Sequence, residues 1–200
     1  MFNSKEYWEN RYKNGGDSGA GSRNHLAEFK FQTINQFIKN NEIKSLIDVG
    51  SGDGFIAGEI IVRSYTGYDV SETAIKKCSK MFEDDMSKVF TTIWNDDFKS
   101  ELAISMDVIF HIIEDDLYEI YLKRLFSCAT RYVIIYSSNC VSSTKSEHYK
   151  DRKFVDDVEK LIKDWKLIKL IENQYPFVDD PENESNSDFY IYEKINGDNK

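Results

Sequence analysis

The chain has 200 residues, 40% of them hydrophobic and 14% aromatic, enough to bury a substantial core without disulfide or metal staples. Its 35 acidic residues outnumber the 26 lysines and arginines, for a formal net charge of -9; that balance disfavours a broad polyanion-binding face, which draws on many cations, and leaves room for a local basic pocket. The cysteines Cys78, Cys128 and Cys140 are odd in number and never in CxxC spacing, so neither a disulfide framework nor a metal site is expected.

The opening "MFNSKEYWENRYKNGG" lacks the apolar core of a secretion signal, and no apolar run approaches the ~20 residues that span a bilayer. A cytoplasmic location with no membrane partner is expected. "NGGDSGAGS" (14–22) reads as a flexible stretch, and the tail "NGDNK" as a fraying end. Ala27, Phe31, Ile34 and Ile38 recur along one face of a helix. "SLIDVG" reads as a buried strand, followed by three closely spaced glycines and a short helix from Phe55 to Val62. "SYTGYDV" is a second strand. Ser71 is placed to cap a helix that turns Ala74, Ile75, Cys78, Met81 and Phe82 to one side.

"KVFTTIW" is a third strand, rich in β-branched and aromatic residues, and "LAISMDV" a fourth. Asp115 or Asp116 caps the helix "LYEIYLKRLFSCA". "RYVIIYSS", apolar on both faces, is a fifth and central strand. A helix follows from Lys153 to Trp165, with Phe154, Val158, Leu161 and Trp165 at helical spacing. "KLIKLIEN" and "DFYIYEKI" close the chain as strands joined by the loop "YPFVDDPENESNS". Five strands alternating with helices predict an α/β, doubly wound, mostly parallel sheet with helices on both faces; the last two strands predict a C-terminal antiparallel pair. All 200 residues are read as one domain, with 1–40 as an N-terminal lid or helical segment and 41–195 as the core.

Ligands of such sheets bind at the carboxyl ends of the strands, where strand order reverses. There the chain reads Asp48, Gly50, Gly52, Gly54, or D-x-G-x-G-x-G. Glycines permit a tight turn and close approach to the backbone, and the next helix presents free N–H groups. A nicotinamide dinucleotide calls for glycine at 55, where Phe55 stands, and Asp48 would repel a pyrophosphate while attracting an ammonium group. Asp69 ends the second strand about 20 residues beyond Gly50, the distance at which an acid accepts ribose hydroxyls. A ribose, a cation and no phosphate cradle together describe S-adenosylmethionine.

On these residues the chain resembles the class I S-adenosylmethionine-dependent methyltransferases, of the small stand-alone bacterial or phage type. "LIDVGSGDG" is similar to their first motif, "YTGYDVS" to the second, "WNDDF" to the third and "AISMDVIFHIIEDD" to the fourth. The resemblance implies a Rossmann-like seven-stranded sheet. It implies that Asp48, Gly50, Ser51, Gly52 and Gly54 surround the methionine part and the sugar, with Asp69 on the ribose hydroxyls and Val70 against the adenine. Asp97 with Phe98, or Asp96 one residue earlier, would meet the adenine, and Asp107 would face the methyl-donor pocket.

Gly54 can equally serve helix packing, Asp96 and Asp97 a solvated turn, and Asp107 a cap. The front segment, with Trp8, Arg11 and Tyr12 before the glycine-rich stretch and Arg23, His25 and Glu28 after it, would lie over the cofactor and help select the substrate; the alternative is a helix packed on the sheet edge. His111 is the candidate general base, or else a structural histidine bonded to backbone. His148 and Arg152, with Lys145, Lys150 and Lys153, form a basic cluster that is either a solvated loop or a contact for a substrate anion.

The activity implied is methyl transfer to oxygen or nitrogen of a small molecule, leaving S-adenosylhomocysteine, with a sugar, nucleotide-sugar or surface-polysaccharide precursor as the leading acceptor class. Nucleic acid is disfavoured as a partner. The rivals are a tRNA or protein methyltransferase, a non-catalytic S-adenosylmethionine-binding module, and a nicotinamide oxidoreductase.

Overall fold

The structure is a computed structural model that describes residues 2–141 and 147–195. Within these residues seven strands form one sheet: β1 (Ser45–Val49), β2 (Ser64–Tyr68), β3 (Lys88–Thr91), β4 (Ser100–Met106), β5 (Ala129–Ser137), β6 (Trp165–Ile171) and β7 (Asp188–Lys194). Their order across the sheet is β3-β2-β1-β4-β5-β7-β6. The pairs from β3 to β5 are parallel, and β7 runs antiparallel to both β5 and β6. Strand order reverses between β1 and β4, which opens a crevice at their carboxyl ends.

Among the described residues six α-helices accompany the sheet: α1 (Ser4–Lys13), α2 (Asn24–Asn40), α3 (Phe55–Glu59), α4 (Glu72–Met81), α5 (Asp115–Ser127) and α6 (Phe154–Leu161). The central strands are apolar on both faces because both faces are covered. On one, Ala27, Ile34 and Ile38 of α2 pack with Ile56 and Ala57 of α3 against Leu46, Leu102, Ile104 and Ile134. On the other, Leu122, Leu125 and Phe126 of α5 and Phe154 and Val158 of α6 pack against Ile47, Val49, Ala103, Val133 and Ile135. Each of the valine, leucine, isoleucine and phenylalanine side chains among these contributes roughly 1.5–3 kcal/mol when fully buried.

Several elements differ from the sequence reading. Helix α3 stops at Glu59 and not at Val62, because the Asn35 amide donates to the Glu59 carbonyl and its oxygen accepts the Ile61 N–H. Met81 points outward from α4, 61% exposed, while Ala74, Ile75 and Cys78 are buried. Strand β3 ends at Thr91, short of Ile93 and Trp94. Neither Asp115 nor Asp116 is the cap of α5: Glu114 holds the cap position, and Asp115 is the first helical residue, paired with Lys150 and Arg152. Helix α6 ends at Leu161, and Trp165 instead begins β6, its ring edge-on to Phe126.

The glycine-rich stretch 14–22 is pinned as well as turned. It contains a 3-10 turn at Ala20–Ser22, and Arg11 Nε donates to the Asp17 carbonyl at 2.6 Å. Among the described residues no helix is long and apolar enough to cross a membrane. The tail 196–200 lies outside the described residues, as does Lys145.

Candidate functional site

The turn after β1 is tied to the exit of β2: Gly50 N and Ser51 N donate to the Tyr68 carbonyl at 2.7 and 3.0 Å. Gly52 has φ +57°, and a Cβ there would lie 2.4 Å from Ser18 Oγ and 3.0 Å from the Tyr12 hydroxyl. At Gly50, φ +98°, a Cβ would lie 2.4 Å from Val108 Cγ2. Close approach to this backbone is thus made by the protein's own front segment and by the β4 exit. Gly54 caps α3 in the left-handed conformation and faces Cys78 and Phe82, which favours its packing role.

A cavity opens between this turn, the ends of β2 and β4, and α1. Two buried carboxylates stand at its base. Asp48 Oδ2 accepts the Tyr65 hydroxyl at 2.8 Å, while Asp48 Oδ1 and the nearby Ser51 Oγ have no hydrogen-bond partner. Burial raises the Asp48 carboxyl to about 7, the Tyr65 hydrogen bond opposing it, Asp69 adding to it and Lys30 lowering it. Asp69 accepts Gly52 N on Oδ2 and Ser71 N on Oδ1, both at 2.9 Å. Burial raises its pKa too, against the pull of those backbone donors. Each Asp69 oxygen retains a second lone pair.

The wall beyond Asp69 is aromatic and apolar. Val70 lines it, with Trp94 edge-on to Tyr68 at 5.2 Å and the Arg124 guanidinium 5.3 Å from the Trp94 ring centre. Asp96 and Asp97 are exposed and do not line the cavity: Asp96 accepts the Trp94 indole N–H at 2.8 Å, and Asp97 N donates to the Asn95 side chain. Phe98 packs against Trp94 from behind. The third motif therefore contributes Trp94 where the sequence reading favoured its later residues.

Helix α1 roofs the cavity with Ser4, Lys5, Trp8 and Tyr12, all on one face. It is fastened at its start and at its middle. Glu114 accepts Ser4 N and Ser4 Oγ at 2.9 and 2.6 Å, and Glu9 accepts Ser71 Oγ, Thr73 N and Thr73 Oγ1. Those donors, the Thr73 hydroxyl foremost, lower the Glu9 carboxyl to about 2. The chain then crosses the glycine turn, where Ser18 N donates to Asp53 Oδ2 and Asp53 N to Ser18 Oγ.

Several residues read as site candidates are committed elsewhere. Arg11 holds Asp17. Arg23 pairs with Asp53 at 2.5 Å and stacks on the Phe55 ring, latching the front segment to the turn. His25 Nε2 lies 2.8 Å from the Asn183 carbonyl oxygen, against Tyr175, outside the cavity. Arg152 packs on Tyr118, pairs with Asp115, and donates to the Ile112 and Ile113 carbonyls. Lys150 also pairs with Asp115, so the basic cluster fastens the loop after β5 to the start of α5.

The β4 exit brings two polar groups to the cavity. Asp107 adopts φ +56°, with Oδ2 2.7 Å from Lys30 Nζ and Oδ1 accepting Ser187 Oγ at 2.8 Å. His111 follows, edge-on to Trp8 at 4.8 Å and stacked at 6.1 Å over His148, which itself stacks on Tyr7. His111 Nδ1 lies 2.9 Å from the His148 carbonyl. A carbonyl only accepts, so Nδ1 carries the proton and Nε2 the free lone pair. Burial lowers the imidazole to about 4, opposed by that hydrogen bond and by Asp107, so it is neutral at pH 7.

The same architecture recurs among solved structures. N-methyltransferase NodS from Bradyrhizobium japonicum WM9, in complex with S-adenosyl-L-homocysteine, superposes with a TM-score of 0.77 at 11% identity, over 98% of this chain and 100% of that one. Magnesium protoporphyrin IX methyltransferase (ChlM) from Synechocystis PCC 6803, with bound SAM, gives 0.68 at 12%, over 97% and 98%. The small RNA methyltransferase HEN1 gives 0.65 at 13%, over 86% of this chain and 25% of that one. The fold is that of the class I S-adenosylmethionine-dependent methyltransferases. No family model and no curated protein matches the chain in sequence.

The residues of this methyltransferase fold suit a positively charged nucleoside. Asp48 Oδ1 and Ser51 Oγ are buried polar atoms awaiting a partner, Asp69 can accept from hydroxyls, and Val70 and Trp94 offer flat apolar surface. Among the described residues no three His, Cys, Asp or Glu side chains are grouped to hold a metal ion. Sequence reasoning missed Lys30, Ser18, Asp53, Trp94 and Arg124. Only Lys30 left a local signal: it shares the apolar side of α2 with Ala27 and Ile34.

Proposed function

We propose that the protein is an S-adenosylmethionine-dependent methyltransferase that methylates oxygen or nitrogen of a small molecule, with a sugar or surface-polysaccharide precursor as acceptor and S-adenosylhomocysteine as product. The observation that carries this reading is the pair of buried carboxylates, Asp48 and Asp69, at adjoining strand ends beside an aromatic wall and beneath a fastened helix.

When bound, the donor supplies a methyl carbon on a sulfonium, with its own leaving group. Asp48 balances the donor's positive charge, Asp69 accepts its ribose hydroxyls, and Val70 and Trp94 cover the adenine. Helix α1 excludes water from the reacting atoms. His111 offers Nε2 to an acceptor proton, and its neutral state at pH 7 keeps that lone pair available.

The net charge of -9 favours a small acceptor over a polyanion. Phe55 and Asp48 speak against a dinucleotide. Calorimetry with S-adenosylmethionine, S-adenosylhomocysteine and NAD tests the proposal: the first two bind and NAD does not, whereas binding of NAD alone defeats it. Formation of S-adenosylhomocysteine with an acceptor panel separates an enzyme from a non-catalytic binder.

A further inference from the structure

Helix α2 buries Leu26, Ala27, Phe29, Ile34 and Ile38, and Lys30 stands among them, its side chain 1% exposed and part of the cavity lining. Stability does not explain it, since packed apolar residues in place of a buried ion pair are commonly neutral or stabilising. Lys30 Nζ lies 2.7 Å from Asp107 Oδ2 and 5.3 Å from the Tyr136 ring centre. Asp107 is held in turn by Ser187, and at φ +56° it sits in a conformation that side chains rarely adopt. Three distant segments, α2, the β4 exit and the start of β7, converge to seat one ammonium beside one carboxylate on the cavity wall.

The pair is electrically balanced, and both members keep hydrogen-bonding capacity. Lysine has three N–H groups and Asp107 takes one; a carboxylate has about four acceptor positions, and Lys30 and Ser187 use two. An oxyanion placed here meets Asp107, and an ammonium meets Lys30. Adjacent hydroxyls suit both, because each donates and accepts. We infer, on the methyltransferase reading above, that Lys30 and Asp107 form the acceptor subsite and bind a vicinal diol of a neutral polyhydroxylated acceptor. Lys30 donates to one oxygen and Asp107 accepts from its neighbour. Trp8, on the same cavity, supplies an apolar face for sugar C–H groups, and His111 stands four residues beyond Asp107.

Saturation-transfer NMR on the full chain tests this with methyl α-mannoside, methyl α-glucoside and their monodeoxy derivatives, with inorganic phosphate and ethanolamine as competitors that displace the glycoside signal if preferred, with and without S-adenosylhomocysteine. The glycosides bind, and each deoxy derivative lacking one hydroxyl of the engaged diol binds at least about tenfold more weakly, the scale of a lost hydrogen bond to a charged group. The double variant K30M/D107N, which keeps the subsite neutral and places Asn at the positive φ, loses glycoside binding. The deoxy series makes the same test on the unaltered protein. Preference for phosphate or ethanolamine, a silent panel, or glycoside binding indifferent to the deoxy positions overturns the inference. Glycoside binding without any affinity for S-adenosylhomocysteine would instead overturn the methyltransferase reading and leave the diol subsite standing.

Discussion

The Tyr65 hydroxyl donates to Asp48 Oδ2 at 2.8 Å, and it is the one side-chain donor that Asp48 receives among the described residues, its Oδ1 having none. A carboxylate so poorly solvated holds its proton up to about pH 7. A cationic donor binds the ionised form. Affinity for S-adenosylmethionine therefore rises with pH, by up to about tenfold per unit below that value, and levels off above it. Calorimetry in buffers of different ionisation enthalpy detects the released proton. In Asp48→Asn the dependence disappears; a dependence that survives in this variant removes Asp48 from the donor site.

Asp48 and His111 give opposite slopes of stability against pH. The Asp48 pKa is raised from 3.8 to about 7, so the native state binds the proton more tightly, and stability falls as pH rises through that window. The His111 pKa is lowered from 6.5 to about 4, so the unfolded state binds the proton more tightly, and stability is lost as pH falls from 6.5 toward 4. Between pH 4 and 6.5 the contributions of these two groups nearly cancel in the wild type. Asp48→Asn exposes the histidine slope and His111→Gln the aspartate slope in Tm measured across that range. Identical profiles for all three proteins contradict the assignment.

Asp69 connects the glycine turn to α4 through Gly52 N and Ser71 N. Asp69→Ala weakens S-adenosylhomocysteine binding by about 1–3 kcal/mol, the scale of hydrogen bonds to a charged group. It also lowers Tm, because two backbone donors are orphaned. Unchanged calorimetric affinity retires Asp69 from the site.

Arg23 and Asp53 latch the front segment over the turn. The pair is partly exposed, so Arg23→Ala costs about 1 kcal/mol or less in stability. Its larger effect is on access: stopped-flow fluorescence should show faster donor association and faster dissociation, with a smaller change in equilibrium affinity. Equal rates in variant and wild type show that the latch does not gate the cavity.

His111→Gln lowers turnover by roughly a hundredfold, the low end for general-base catalysis, while S-adenosylhomocysteine affinity stays within about twofold. The wild-type rate carries no His111 inflection between pH 5 and 8, because that ring is already neutral there. Full turnover in the variant leaves His111 a structural role only.

The strand-turn-helix around Asp48, the acid at the end of β2 and the polar exit of β4 were legible because a strand end and a glycine turn fix those positions locally. The β6–β7 pair was legible because no helical pattern intervenes. Orientation across the tertiary structure was not. Arg11, Arg23 and Arg152 are cations in a cavity-facing region of the chain, yet each finds an acid or a carbonyl of its own protein. Trp94 opens the "WNDDF" motif, whose later residues drew the site assignment, and only the packing of Tyr68 and Arg124 turns it inward. Lys30 could have been singled out, since a charge in the apolar stripe of a helix conflicts with burial unless it has a partner.

The roof helix precedes both of its seats in the chain. Ser4 binds Glu114, 110 positions downstream, and Glu9 binds Ser71 and Thr73, more than sixty positions on. A nascent chain leaving the ribosome can seat Glu9 once the start of α4 has been translated, but Ser4 has no partner until the start of α5 follows. During synthesis α1 is therefore held by Glu9 alone of these two fastenings until the middle of the chain arrives with Glu114.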